Sequence, residues 1–236
     1  MTKFFKNLYR LVLIGTPLFI IFNYIRNFLP NYKTKKKSKK IEITIYDQFK
    51  SLNYNEKWFC NNLNFLSANF KNIKNVKNIL EIGSYEGRSS IFFLKNFFNS
   101  NISCVDTWCG SDEHRSVNFE LIENNFDSNT SFYQSNNTLR KYKMTSNEFF
   151  KKNDKYFDLI YVDGDHSSDQ VKIDLINSWN VLKNGGFLVL DDYMWWYYKD
   201  YKKNPSTPIN NFIKENILNI SKLTVWHQVI IQKNKL

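Results

Sequence analysis

The chain has 236 residues, enough for one sizeable α/β domain with a short appendage, and its hydrophobic fraction of 42% excludes global disorder. The net charge of +11 resembles a nucleic-acid footprint until it is located: residues 1–40 hold ten of the 33 basic residues and no acid. The remainder carries 23 basic against 22 acidic residues, so a nearly neutral main domain argues against a DNA- or RNA-binding core.

The first segment, LVLIGTPLFIIF at 11–22, is a strong apolar run that can continue to Ile25. It is shorter than the roughly twenty residues that span a bilayer core, and Gly15 and Pro17 interrupt it. No small-residue cleavage site follows, which argues against a removed signal peptide. Residues 1–30 are therefore expected to form a membrane anchor, either spanning with Arg26 snorkelling or lying in the interface; a buried N-terminal helix is the alternative. Residues 31–41 read as a basic linker in which YKTKKKSKK meets anionic headgroups. The positive-inside rule then puts the main domain in the cytoplasm. The adjacent apolar run disfavours a nuclear-import signal.

Residues 42–75 are expected to be a helical cap, with Trp58, Phe65, Leu66 and Phe70 on one face. From 76 to 236 apolar strands and amphipathic helices alternate. NILEIG (78–83), NISCVDTW (101–108), 138–143, FDLIYVDGDH (157–166), FLVLDD (187–192) and LTVWHQVIIQK (223–233) read as strands. Residues 87–97, 117–126, 145–151, 168–182 and 208–218 read as helices, and Gly185 and Gly186 as the turn before FLVLDD. This pattern means a Rossmann-like, doubly wound sheet with both faces covered. Ligands of such sheets bind at the carboxyl ends of the strands, where Glu81, Asp106, Asp163, Asp165, Asp191 and Asp192 collect. Cys60, Cys104 and Cys109 show no metal or disulfide spacing and fit a reducing compartment.

GSYEG at 83–87 lacks the middle glycine of a dinucleotide fingerprint. Glu81, two residues earlier, would repel a pyrophosphate and suits a cation. S-adenosylmethionine has a sulfonium, an ammonium and a carboxylate, and the N–H groups and hydroxyls of Ser89 and Ser90 suit the last. Asp106, 19 residues beyond Gly87, is placed to accept from ribose hydroxyls.

LEIGSYEGRSS, VDTWCG, FDLIYVDGDHSSDQV and LKNGGFLVLDDYMW together resemble the class I S-adenosylmethionine-dependent methyltransferases. The pattern is methyltransferase domain family 24-like, nearest the branch of glycan and macrolide-sugar O-methyltransferases. The resemblance covers roughly residues 75–235. It implies a seven-stranded sheet with a reversed final strand. It also implies cofactor binding through Glu81, Gly83, Ser84, Gly87 and Ser89, with Asp106 on the ribose and Trp108 and Ser146 near the adenine.

DGDH (163–166) and DDY (191–193) supply the chemistry. Asp163, Asp191 and Asp192 suit Mg²⁺, Mn²⁺ or Ca²⁺, and the resemblance supports that ligand set, although Asp192 is often Asn in the family. His166 is the expected general base, with Asp165 orienting it or the substrate; helix capping is its bland alternative. His114 lies on a loop able to fold over the site. YMWWYYKDY (193–201) reads as an aromatic wall for a sugar or lipid acceptor, a membrane-facing lip or edge packing. The resulting expectation is a membrane-associated O-methyltransferase acting on a sugar hydroxyl. A nicotinamide oxidoreductase and a non-catalytic tethered scaffold are the rival readings. A nucleic-acid methyltransferase is disfavoured, because DGDH stands where an Asn/Asp-Pro-Pro-aromatic motif is expected.

Overall fold

The computed structural model describes residues 52–235 except 57, 60–62, 72, 112, 113, 115, 116 and 196, together with Leu18. The anchor, the basic linker, Cys60 and most of the cap's first half fall outside the described residues. Among the described residues no helix is long and apolar enough to cross a membrane.

The elements in chain order are α1 (Leu63–Phe70), β1 (Asn78–Ile82), α2 (Arg88–Asn96), β2 (Asn101–Asp106), α3 (Phe119–Ser135) and β3 (Leu139–Lys143). Then come α4 (Ser146–Lys152), β4 (Phe157–Val162), α5 (Ser168–Val181), β5 (Leu182–Leu190), α6 (Ser206–Glu215), β6 (Ile220–Val225) and β7 (Val229–Lys233). The strands form one seven-stranded sheet in the order β3-β2-β1-β4-β5-β7-β6. All pairs from β3 to β5 are parallel, and β7 runs antiparallel to both β5 and β6. The reversed final strand is thus the last in sequence and lies inside the sheet, between β5 and β6.

Strand side chains alternate between the two faces. Leu80, Ile82, Ile160, Val162, Leu188 and Leu190 pack with Val171 and Leu175 of α5 and Ile209 and Ile213 of α6. Ile79, Ile102, Cys104, Leu159, Tyr161 and Val189 face Leu66 and Phe70 of α1, Phe92 and Phe93 of α2, and Phe126 of α3. Both faces are covered, which is why the strand sequences are apolar almost throughout.

Three expectations need correction. Trp58 does not share the buried face of α1; Leu66 and Phe70 are buried there, while Trp58 is exposed and its ring lies 5.4 Å from Tyr85. The C-terminal strand is two strands, joined by a turn at 226–228 in which Trp226 N–H donates to the Gln228 carbonyl at 2.8 Å. Strand β5 begins at Leu182 and includes the two glycines, with a register shift against β4 between Phe157 and Leu159.

Candidate active site

The loop after β1 is built by close backbone approach. Gly83 has φ +83°, and a Cβ there would lie 1.9 Å from the Asp163 carbonyl oxygen. Its N–H donates to the Val105 carbonyl at 2.9 Å, so the loop is tied to β2 on one side and crowded by β4 on the other. Gly87 (φ 78°) turns the chain into α2. The first N–H groups of that helix have no partner within it.

Glu81 lies beneath this loop, fully buried, in register with Cys104 and Tyr161. Its Oε2 accepts from Ser84 Oγ at 2.8 Å and from Ser90 Oγ. Burial holds its carboxyl above the ordinary range, with the hydroxyls of Ser89, Ser90 and Ser84 opposing that shift. Glu81 Oε2 is thus engaged by the hydroxyls of Ser84 and Ser90, which turn to it beneath the loop. The strand alternation that buries Ile79 also buries Glu81, two residues on.

Asp106 ends β2 and spans the gap. Its Oδ2 accepts from Ser84 N at 2.8 Å and Tyr85 N at 2.9 Å, and its Oδ1 from Trp108 N at 2.8 Å. It locks the β1 and β2 loops together. Trp108 is a core residue: it is 3% exposed, packs against Phe126 at 4.8 Å, and donates Nε1–H to the Tyr85 carbonyl at 2.9 Å. Ser146 is half-buried at the start of α4, beside the end of β2, where Met144 N–H donates to the Asp106 carbonyl. Ser146 Oγ accepts from Gln170 Nε2 at 3.1 Å, and Gln170 also donates to Asp174 at 3.0 Å. Burial pushes the Asp174 carboxyl up to about 6.

Strands β4 and β5 are neighbours, so their terminal acids converge. Asp163 and Asp192 both reach His166, whose Nε2 is 2.9 Å from Asp192 Oδ2 and 3.5 Å from Asp163 Oδ1. One ligand atom from each of the three lies within 4.8 Å of the others. Asp191 is different. Its Oδ1 accepts from Asp192 N and its Oδ2 from Gln228 Nε2, both at 2.8 Å, and the Tyr161 hydroxyl also meets Oδ2. The candidate metal set is therefore Asp163, His166 and Asp192, and Asp191 supports it from behind through Tyr161, whose hydroxyl is 3.0 Å from Asp163 Oδ2. Burial, then the charge of Asp191, holds the Asp163 carboxyl well above its ordinary value. Burial and Asp192 push Asp191 up to about 6. Burial also works upward on Asp192, but the His166 imidazole outweighs it and the carboxyl is held low.

Asp165 does not orient His166. It is exposed and accepts from Ser167 N at 2.7 Å, while Ser167 itself caps α5. His114 sits over the glycine loop rather than the acid cluster, with its ring 6.4 Å from Tyr85 and 6.0 Å from Trp58. Trp195 stands 5.0 Å from the His166 ring and stacks on Tyr197 at 5.3 Å, so part of the aromatic run does border the site. Gln228 and Glu86, both buried, are site-building residues that sequence reasoning missed. Gln228 carries no sequence signal; Glu86 carried one, an acid inside the glycine loop.

The sheet order, the glycine loop and the acids at β4 and β5 define a class I methyltransferase fold. Residues 80–193 match the family model described as a methyltransferase domain. No curated protein matches by sequence. Among solved structures, the O-methyltransferase TomG from Streptomyces achromogenes, in complex with S-adenosylmethionine, is similar at 13% identity and TM-score 0.52, over 72% of this chain and 77% of that one. The Podospora anserina methyltransferase PaMTH1, bound to S-adenosylhomocysteine, matches at 17% identity and TM-score 0.50, over 73% and 76%. MycE, a methyltransferase of the mycinamycin biosynthetic pathway in complex with Mg, S-adenosylhomocysteine and mycinamycin VI, matches at 18% identity and TM-score 0.50, over 78% of this chain and 51% of that one. At these identities the likeness is one of fold.

Proposed function

We propose that this chain is an O-methyltransferase that moves the methyl group of S-adenosylmethionine to a hydroxyl of a sugar-bearing acceptor. The observation that carries the reading is the contact between its two halves. The glycine loop packs directly on the Asp163 backbone, so a cofactor seated on residues 83–89 and Asp106 ends beside the Asp163–His166–Asp192 cluster. The acceptor oxygen forms a bond to the methyl carbon as the carbon–sulfur bond breaks. The sulfur keeps the electron pair and S-adenosylhomocysteine leaves. Alignment of these three atoms is the main service of the site.

The acceptor's proton goes to His166. Asp192, whose Oδ2 lies 2.9 Å from Nε2, favours the imidazolium that results. Trp195 and Tyr197 offer a flat apolar wall beside that ring, which suits the face of a sugar.

The donor set of two carboxylates and one imidazole also fits a divalent ion, and Mn²⁺ suits it better than Mg²⁺ or Ca²⁺ because of the nitrogen. Such an ion would supply Lewis-acid polarisation of the acceptor oxygen. An imidazole that held the ion could not also take the acceptor's proton, so the two uses of His166 exclude each other. A chelator should abolish turnover in one case and leave it intact in the other. Residues 1–40 are proposed to tether the domain to the cytoplasmic face of a membrane, and sedimentation of the full chain with anionic vesicles tests that.

Tritiated methyl transfer to a panel of hydroxyl acceptors, glycosides included, tests the assignment. Asp163→Ala and His166→Ala should each lower turnover by about a hundredfold or more while S-adenosylhomocysteine still binds. Full turnover in both variants would overturn it.

A further inference from the structure

Glu86 lies inside the glycine loop, and its buried carboxylate takes no part in the acid cluster. It accepts from Asn55 N at 3.0 and 2.9 Å on its two oxygens, from Asn55 Nδ2 at 3.0 Å, and from Asn125 Nδ2 of α3 at 2.8 Å. A looser bond comes from Glu56 N at 3.4 Å. One turn along α3, Asn129 does the same for Asn53. Its Oδ1 accepts from Asn53 N at 2.8 Å, and its Nδ2 donates to Asn53 O at 2.8 Å and to Glu86 O at 3.0 Å. The Arg88 guanidinium lies 3.9 Å from the centre of the Tyr54 ring.

Asn55 and Glu56 are thus tied to the Glu86 carboxylate and Asn53 to the Asn129 amide, and bonds to a carboxylate are the stronger of the two kinds. Most donors to Glu86 come from this segment, so detaching it would leave a buried carboxylate with Asn125 alone. Loop shape and segment docking are therefore coupled. The segment continues to Phe59, which packs on Phe92 at 5.3 Å, and to Trp58, which is 53% exposed although its ring lies 5.4 Å from Tyr85 of the same loop. A large aromatic surface held open beside a ligand loop suits a wall that a ligand completes.

The geometry points to residues 53–56, with Trp58 and Phe59, as a strap that completes the cofactor site, with Glu86 and Asn129 as its positioning residues and Trp58 as the wall over bound S-adenosylmethionine. This rests on the reading that residues 83–89 hold that cofactor.

The test combines calorimetry with hydrogen–deuterium exchange on the full chain, using S-adenosylhomocysteine as probe. The probe should slow exchange in the peptide covering residues 53–59, which a merely structural strap would not show. Asn55→Pro removes the N–H that Glu86 holds without touching the core. It should weaken binding by about tenfold or more, and because it leaves the buried Glu86 carboxylate short of a donor it should also lower the ligand-free melting temperature. Trp58→Ala, at an exposed position, should weaken binding with the ligand-free exchange of the strap unchanged. If the parent chain binds the probe and both variants bind it equally well, the strap is wrong and the cofactor reading stands. If the parent chain, correctly folded, does not bind it, both fall.

Discussion

Asp174 shows how a single buried acid makes the domain pH-sensitive. It is 1% exposed on α5, with Gln170 as its donor at 3.0 Å, and burial raises its carboxyl from 3.8 to about 6. The folded state thus holds the proton more tightly than the unfolded chain does. Stability from this group is fully present below about pH 3.8 and is lost as pH rises through about 6. Asp174→Asn keeps a side-chain oxygen for Gln170 and removes the charge. It should stabilise the protein at pH 7.5 by up to about 3 kcal/mol and change little at pH 4, as read by urea unfolding at both values. A variant less stable at pH 7.5 would contradict the argument. Single residues were also where the sequence was least legible. The motif around Glu81 was visible, but only the alternation of β1 shows that its carboxylate points under the loop. Trp108 and Asp191 were likewise found in the right loops and turned the other way, Trp108 by core packing against Phe126 and Asp191 by the donors Tyr161 and Gln228.

At the scale of elements, the site depends on how closely β1 and β4 approach beyond their last paired residues. The Asp163 N–H donates to the Ile82 carbonyl at 2.8 Å, and Gly83 then passes the Asp163 carbonyl with no room for a side chain. Gly83→Ala adds a methyl 1.9 Å from backbone oxygen and also forces a positive φ on a residue that resists it. The positive φ alone costs about 1 kcal/mol or more, and the clash requires the two strand ends to separate. The variant should lose S-adenosylhomocysteine binding and melt at a lower temperature; normal binding would show that the approach is not needed. Strands and helices of the parallel half were readable because their apolar runs and turn residues agree. The β6–β7 hairpin was not, because its turn is Trp226-His227-Gln228, without the glycine, asparagine, aspartate or proline that marks most turns. That hairpin matters to the site, since it delivers the buried Gln228 to Asp191.

The whole molecule places the cofactor loop, the acid cluster and the aromatic wall at the carboxyl ends of β1, β4 and β5, with a strap from the N-terminal side across the first of these. The topology and the convergence of the strand-end acids followed from the sequence, because acids at the carboxyl ends of neighbouring parallel strands collect at one edge of a doubly wound sheet. The orientation of each acid, and the exchange of Asp191 for His166 in the candidate metal set, required the packing around them. The central claim is that residues 83–89 with Asp106 bind S-adenosylmethionine. Calorimetric titration of the full chain with that cofactor tests it most directly. Saturable binding in the low micromolar range is expected. A correctly folded sample that shows no binding would contradict the account.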